Sequence, residues 1–220
     1  MAALNGKNVI LTNIPNYAVT DENCENLCYK ALANGIERVL VGPASLSAIA
    51  GFAGRGLSFG VSVAYPSGAV TPVLKTAEMK DCEAEGKPDL FFVTCAQGYF
   101  ASGHDDNLVR EMKECAAATD RPVYFIIEAA DLAEDRLAFL IDTAKKAGLA
   151  GLVLSTAFAP YDVLADPDAA LIRKIRALAG DSLEIIAAGR NLNTRQKAEE
   201  ALDAGADSVL INVKDGIFGV

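Results

Sequence analysis

The feature that most constrains the fold of this 220-residue chain is a regular alternation between short apolar runs and longer segments with helical spacing. Each apolar run has the length of a buried strand, whereas segments such as Asp131–Ala147 and Asn193–Ala204 carry the alanine-rich, charged faces of surface helices. Eight such runs follow one another, at residues 8–13, 38–42, 59–64, 89–94, 123–128, 151–155, 183–188 and 208–213. Continuous apolar strands separated by helices predict a parallel sheet covered by helices.

The number of repeats favours a (β/α)8 barrel, the TIM-barrel fold, over an open doubly wound sheet. An open sheet that binds a nucleotide would carry a glycine-rich turn after an early strand, and Val41–Ala44 lacks that pattern. Neither a linker nor a low-complexity segment interrupts the repeat, so we expect a single domain over residues 1–220. Only Lys214–Val220 follow the eighth run, which predicts little or no C-terminal covering helix and a subunit contact on the open face of strands eight and one.

Composition excludes several classes of partner. The chain has 20 basic and 29 acidic residues, a net charge of -9, and its basic residues are scattered, so we expect neither nucleic acid nor an anionic membrane surface as partner. No apolar run approaches the roughly 18 residues of a membrane span, and the N-terminus lacks the pattern of a signal peptide. We therefore expect a cytoplasmic protein, with its five cysteines reduced.

Metal binding has little support in the sequence. Cys24 and Cys28 are spaced one helical turn apart, as in half of a zinc site, but the chain has a single histidine and no second cysteine pair. That histidine, His104, lies in a polar stretch typical of a surface loop. We expect no metal.

The ends of the predicted strands carry the candidate functional residues, because chemistry in such barrels takes place where the strands end and the βα loops begin. We take Lys214 and Glu128 as candidate catalytic residues. The candidate substrate-binding residues are Arg190, Asn212, Ser155, Thr156, Asn13 and Thr94. Ser67, Gln97 and Asn191 lie at the same ends.

Alternation along the last strand gives some of these residues a direction. The β-branched residues from Val209 to Val213 form one face suited to packing against helices. Leu210, Asn212 and Lys214 should then face the barrel axis or its mouth.

Charge at the ends of strands seven and eight points to an anionic ligand. Arg190 and Lys214 lie where many barrels hold a phosphate, so the sequence predicts a small anionic metabolite, although both side chains could equally be solvated charges at the rim. Glu128 shares a strand face with Tyr124 and Ile126. It is either an acid/base group or an acceptor for loop N–H groups, and we favour the second role.

Four segments of the chain resemble the deoxyribose-phosphate aldolases. Val63–Lys80 resembles the third strand, Phe-Pro-x-Gly loop and Lys-x-x-Glu-x-Lys helix of that family, and further matches follow in order at Ile126–Glu128, Gly151–Phe158 and Ala204–Asp207. The resemblance implies a class I aldolase barrel of carbohydrate metabolism that splits a deoxysugar phosphate into two aldehydes without metal or cofactor. The family's mechanism requires a lysine amine that forms a Schiff base with the substrate.

The catalytic residues of the family do not carry over to this chain. Its nucleophilic lysine falls on Val153 and its second lysine on Ile186, while other polar positions fall on Phe92, Tyr124 and Leu40. Valine cannot form an imine, and apolar side chains at these facing positions would fill the space of the substrate. The sequence therefore predicts that the family's Schiff-base mechanism is lost.

Three hypotheses about function remain open. In the first, the chain is an aldolase-like lyase whose carbonyl chemistry has moved to Glu128, Asn212 and Lys214. In the second, it is an isomerase-type enzyme that uses the same mouth for acid/base catalysis. In the third, it is a noncatalytic barrel that binds a metabolite or a protein. The family's phosphate-binding glycine pair appears as Gly189-Arg190, so we expect anion binding to persist through side-chain charge. We also expect a homo-oligomer.

Overall fold

The computed structural model describes residues 3–16, 18–158 and 165–217. Eight strands form one closed barrel in chain order, and every neighbouring pair is parallel. The strands are β1 (Val9–Thr12), β2 (Arg38–Val41), β3 (Ser58–Val63), β4 (Leu90–Thr94), β5 (Val123–Ile126), β6 (Gly151–Val153), β7 (Glu184–Ala187) and β8 (Ser208–Asn212). The (β/α)8 barrel predicted from the sequence is confirmed.

Helices cover the outside of the barrel. They are α1 (Asp21–Ala33), α2 (Leu46–Ile49), α3 (Pro72–Glu85), α4 (Gln97–Ala101), α5 (Asp105–Ala116), α6 (Glu134–Ala147), α7 (Ala169–Ala179) and α8 (Arg195–Asp203). After β8 the structure describes only a 3₁₀ turn, Val213–Asp215, and no α-helix up to residue 217. Across the described ranges no helix is both long and apolar enough to span a bilayer.

Polar side chains fix where the helices begin. Thr20 starts α1 with a reciprocal cap, in which its hydroxyl accepts from the N–H of Asn23 at 3.3 Å and its own N–H donates to the Asn23 side chain at 3.1 Å. Thr194 caps α8 by accepting from the N–H of Lys197 at 3.2 Å. The helix therefore begins just after this cap, slightly later than the apolar spacing indicated.

The barrel axis is filled by apolar side chains. Nine buried residues from seven strands or strand ends form one cluster: Ile10, Leu40, Phe92, Tyr124, Ile126, Val153, Ile186, Ala188 and Leu210. The ring of Phe92 stacks on that of Tyr124 with centroids 5.0 Å apart. It also occupies the space beside Gly60, where an added Cβ would lie 2.5 Å from a ring carbon. The residues that alternate with this set pack outward, as Val209 and Ile211 do.

A polar layer closes the N-terminal end of the axis. The Arg38 guanidinium donates to Glu184 at 2.8 Å and also to the Ser208 hydroxyl. Tyr124 and Ser208 each donate to Glu184 at 2.8 Å. Every member of this network thus has a partner, as a polar group enclosed by a sheet requires.

Outside the barrel, one ion pair joins α3 to α5. Lys75 is fully buried and its Nζ donates to Glu111 at 2.6 Å and to the carbonyl oxygen of Thr94 at 2.5 Å. Glu111 also accepts from the N–H of Ala96 at 3.2 Å. Burial raises the pKa of Glu111, while the charge and hydrogen bond of Lys75 oppose that rise. The pair anchors the end of β4 to the helical layer.

The polar layer at the N-terminal end should make stability depend on pH. Burial alone would raise the pKa of Glu184, but the Arg38 charge and the hydrogen bonds from Arg38, Ser208 and Tyr124 outweigh burial and lower it. A carboxyl whose pKa is lower in the folded state stabilises above its unfolded pKa, and this stabilisation disappears as pH falls through the folded pKa. We expect Glu184→Gln to cost about 1–3 kcal/mol at neutral pH and to flatten the loss of stability on acidification.

Urea unfolding between neutral and acidic pH measures this effect. The control is Glu200→Gln, which removes an exposed carboxylate paired with Lys197 on α8 and should leave the free energy of unfolding nearly unchanged. An equally steep acid profile for Glu184→Gln and the unmodified protein would contradict the role given to Glu184.

Candidate functional site

The C-terminal end of the barrel begins with buried hydroxyl groups directly above the apolar layer. Thr12 donates to the carbonyl oxygen of Leu40 at 2.8 Å and accepts from the N–H of Ile14 at 3.1 Å. Thr94 is also buried, and its hydroxyl oxygen has no hydrogen-bond partner among the described residues. A buried polar group without a partner is one that a ligand at the mouth could satisfy.

Glu128, at the end of β5, is the centre of a hydrogen-bonded cluster. Its Oε1 accepts from the N–H of Thr156 at 2.8 Å and from the Thr156 hydroxyl at 2.5 Å, and its Oε2 accepts from the Ser155 hydroxyl at 2.9 Å. The side chain of Gln97 holds the backbone of Glu128 through two bonds of 2.8 and 2.9 Å. This arrangement corresponds to the acceptor role favoured from the sequence.

The turn after β6 directs Ser155 and Thr156 toward Glu128. Ala157 has a left-handed backbone with φ of 54°, which is uncommon for a residue with a side chain. The Ser155 hydroxyl accepts from the N–H of Ala157 at 3.0 Å, and the Thr156 hydroxyl accepts from the N–H of Phe158 at 3.3 Å. The two hydroxyls therefore bind their own turn and Glu128 together.

Tyr65, which follows β3, reaches the turn after β6. Its hydroxyl donates to the carbonyl oxygen of Thr156 at 2.9 Å, and its ring meets that of Phe158 edge-on with centroids 5.9 Å apart. Burial, with the nearby charge of Glu128, raises the pKa of Tyr65, so its hydroxyl stays protonated and acts as a donor.

Two cavities lie at the C-terminal end of the barrel, and Tyr65 lines the second of them. One, of about 190 Å³, is bounded by polar groups that include Thr94, Gln97, Glu128 and Thr156. The other, of about 230 Å³, lies beside β1–β3 and is bounded by residues that include Asn13 and Ser62.

Arg190 lies at the end of β7, where it meets a carboxylate from the preceding loop. Its N–H donates to Asp166 at 2.9 Å, and its side-chain Nε lies 3.8 Å from the same oxygen. The charge that the sequence assigned to an external anion therefore already faces an acidic group of this chain.

Lys214 departs from the alternation expected along β8. The strand ends at Asn212, and Lys214 lies exposed in the 3₁₀ turn that follows. Its side chain borders a groove of about 670 Å³ along α1, whose wall also includes Asn13, Tyr29 and Lys30. The end of the strand changes the direction of the chain, so period-two spacing no longer applies to Lys214.

Asn13 and Asn212 lie near the same groove. Asn212 accepts from the side-chain amide of Asn16 at 3.2 Å and from the N–H of Lys214 at 3.1 Å. Asn13 is buried and donates to the Cys24 sulfur at 3.5 Å, while its Oδ1 lacks a partner within the described part of the chain.

The candidate residues therefore separate into three places. Thr94, Glu128, Ser155 and Thr156 come together above β4–β6, Arg190 lies at β7, and Asn13, Asn212 and Lys214 lie beside α1. Tyr65 and Asp166 were absent from the sequence-based set. Tyr65 occupies the aromatic position of the Phe-Pro-x-Gly motif, which could have indicated it, whereas nothing in the local sequence marks Asp166.

Comparisons with known proteins agree with the resemblance stated from the sequence. The chain is 29% identical over 144 residues to a deoxyribose-phosphate aldolase of Thermosynechococcus vestitus, a match that covers 66% of this chain and 63% of that protein. It is 25% identical over 204 residues to one of Lactiplantibacillus plantarum, covering 91% and 92% of the two chains. A relative of the same name from Cyanothece is matched over 60% of its length, so two of these matches span less than two thirds of the relative. No protein-family model matches the chain.

Solved structures give the same result for the fold. The aldolase QR15 superposes with a TM-score of 0.83 at 22% identity, covering 96% of this chain and 90% of that one. A tetrameric deoxyribose phosphate aldolase from Aeropyrum pernix superposes with a TM-score of 0.78 at 20% identity, covering 93% and 85%. The resemblance to the deoxyribose-phosphate aldolases is thus confirmed, and the fold is that of an aldolase barrel.

Removal of the Glu128 carboxylate should destabilise the mouth. Glu128→Ala leaves the N–H of Thr156 and the hydroxyls of Ser155 and Thr156 without their acceptor, which we expect to cost about 1–3 kcal/mol in free energy of unfolding. Urea unfolding measures this cost, with Glu85→Ala, at an exposed position near the end of α3, as the control. Equal stability of the two variants would show that the cluster contributes little.

Proposed function

We propose that this chain is an aldolase-like barrel that binds a small anionic, sugar-like metabolite at its mouth without forming the family's Schiff base. The observation that carries the proposal is the apolar layer across the axis. Val153 and Ile186, which stand where the resemblance places lysines, are fully buried in it beside Phe92. A carbonyl group at the mouth would meet hydrocarbon there rather than an amine.

The mouth offers hydrogen-bonding groups suited to a hydroxylated molecule. The Thr94 hydroxyl is buried without a partner among the described residues, and Glu128, Ser155 and Thr156 bound the same region. The cavity of about 190 Å³ is smaller than the roughly 300–1,000 Å³ of most ligand sites and equals the volume of about six water molecules. We infer that only a short carbon chain enters it, while Arg190 at the end of β7 serves the charged end of the ligand.

Binding is better supported than acid/base catalysis. Each Glu128 oxygen already accepts from Ser155 or Thr156, and a general base needs a free oxygen within reach of the substrate proton. Tyr65 also crosses the mouth to the end of β6. An isomerase-type reaction would require Glu128 to exchange its present donors for a substrate.

A panel of short sugar phosphates and hydroxy acids, measured by thermal unfolding, tests ligand binding directly. We expect at least one member to raise Tm by about 3 °C or more at ten times its Kd. Val153→Lys restores an amine at the position of the family nucleophile, and retro-aldol activity in this variant but not in the unmodified protein would indicate a retained substrate pocket.

Val153→Met is the matched control, because it lengthens the side chain without adding an amine. Borohydride reduction with small aldehydes separates binding from imine formation. Lys214 is the candidate for any remaining amine chemistry, but we expect no adduct because it is exposed beside α1. An adduct on Lys214, or no shift in Tm with any ligand, would contradict the proposal.

We also propose that the chain self-associates through the groove along α1. The groove has apolar walls that include Val19, Leu27 and Val213, and Tyr29 beside it is 55% exposed. Large apolar side chains at an open face favour contact between subunits. The Aeropyrum pernix neighbour described as tetrameric is consistent with assembly in barrels of this kind.

Light scattering at micromolar concentration should therefore give at least twice the 23.1 kDa mass of one chain. Tyr29→Glu places a charge in the groove and should reduce the mass to that of a monomer. The control is Tyr99→Glu, which changes a tyrosine that is 59% exposed on α4. A monomer in the unmodified protein would contradict self-association.

A further inference from the structure

The end of β7 contains an oxyanion-binding arrangement that is filled by a carboxylate of the chain itself. Asp166 Oδ1 accepts from the N–H of Arg190 at 2.9 Å, and Asp166 Oδ2 accepts from the N–H of Asn191 at 3.1 Å. Each carboxylate oxygen thus receives one of two successive backbone N–H groups. Successive N–H groups that point in one direction form a concavity that binds anions.

Gly189 gives the carboxylate room to approach the backbone. A Cβ at this position would lie 2.9 Å from Asp166 Oδ1 and 2.8 Å from Asn191 Oδ1, too close for either oxygen to remain in place. The Arg190 guanidinium adds positive charge, with its Nε 3.8 Å from Asp166 Oδ1. The site therefore combines a glycine without a side chain, two N–H donors and a cation. Such a site is suited to a group with several oxygen acceptors.

The site lies at the C-terminal end of β7, which is the side of a (β/α)8 barrel where loops bind ligands and where phosphate groups are commonly held. A phosphate monoester and a carboxylate present similar oxygen acceptors to such donors. We propose that Asp166 is an internal ligand of an oxyanion site formed by Gly189, Arg190 and Asn191, and that a phosphate group binds there only in competition with Asp166. This inference deepens the proposed function by identifying what the anionic metabolite must displace.

Competition with Asp166 predicts that removing its carboxylate creates affinity for phosphate. Asp166→Ala frees both N–H groups, so we expect inorganic phosphate to bind at least about tenfold more tightly than to the unmodified protein. Asp166→Asn keeps one acceptor oxygen and should show a smaller gain. Isothermal titration with inorganic phosphate at constant ionic strength measures both.

Asp168→Ala is the matched control. Asp168 lies in the same loop as Asp166, and its substitution removes the same charge. Its Oδ1, however, caps α7 by accepting from the N–H of Leu171 at 2.8 Å. Its loss should leave phosphate affinity as in the unmodified protein. Gly189→Ala in the Asp166→Ala background should abolish the gain, because the added Cβ enters the vacated site.

The backbone resonances of Arg190 and Asn191 provide a second readout. We expect phosphate to shift them strongly in Asp166→Ala, and to shift them in the unmodified protein only at much higher concentration. If the Asp166→Ala protein folds but binds phosphate no more tightly than Asp168→Ala, Asp166 only joins two loops. That result would overturn the inference. If neither Asp166 variant folds, the absence of these shifts in the unmodified protein at high phosphate would overturn it equally.

The phosphate titration and the thermal-unfolding panel of metabolites test the two proposals separately. A gain of phosphate affinity in Asp166→Ala, combined with no ligand for the unmodified protein, would support the internal ligand and contradict the proposed function. A ligand found without any effect of Asp166 on phosphate binding would give the opposite result.

Discussion

The apolar filling of the barrel axis is the constraint on which the other features of this structure depend. A closed barrel of eight strands leaves an interior just wide enough for side chains, and here Phe92, stacked on Tyr124, occupies the space that Gly60 leaves. Seven other buried apolar residues of the same cluster complete the filling. Polar groups are consequently confined to the two ends of the axis, where Glu184 and Glu128 each collect several donors.

The mouth of the barrel satisfies many of its own polar groups. Glu128 binds the turn after β6, Tyr65 donates across the mouth to the same turn, and Asp166 accepts from two N–H groups after β7. Buried polar groups need partners whether or not a ligand is present. By pairing with one another, these groups at the mouth remain satisfied above the apolar layer.

The sequence predicted the fold because its signals are local and repeated. Apolar runs identified all eight strands, and alternation placed Leu210 inside and Val209 outside the barrel. Alternation failed for Lys214, because the strand ends two residues earlier and a 3₁₀ turn redirects the chain. The pairing of Glu128 with Ser155 and Thr156 joins residues 27 and 28 positions apart. Such contacts, like that of Asp166 with Arg190, depend on how loops meet and leave no mark in the local pattern.

The ion pair of Lys75 and Glu111 constrains how this sequence can change over time. Lys75 has no exposed surface and Glu111 is only 3% exposed, so either residue alone would leave an isolated charge in the protein interior. Replacement of both by apolar residues of similar size is often tolerated, but each single step toward that state is costly. The two positions lie on different helices and 36 residues apart. We therefore expect them to be retained together, or to change together, as this sequence evolves.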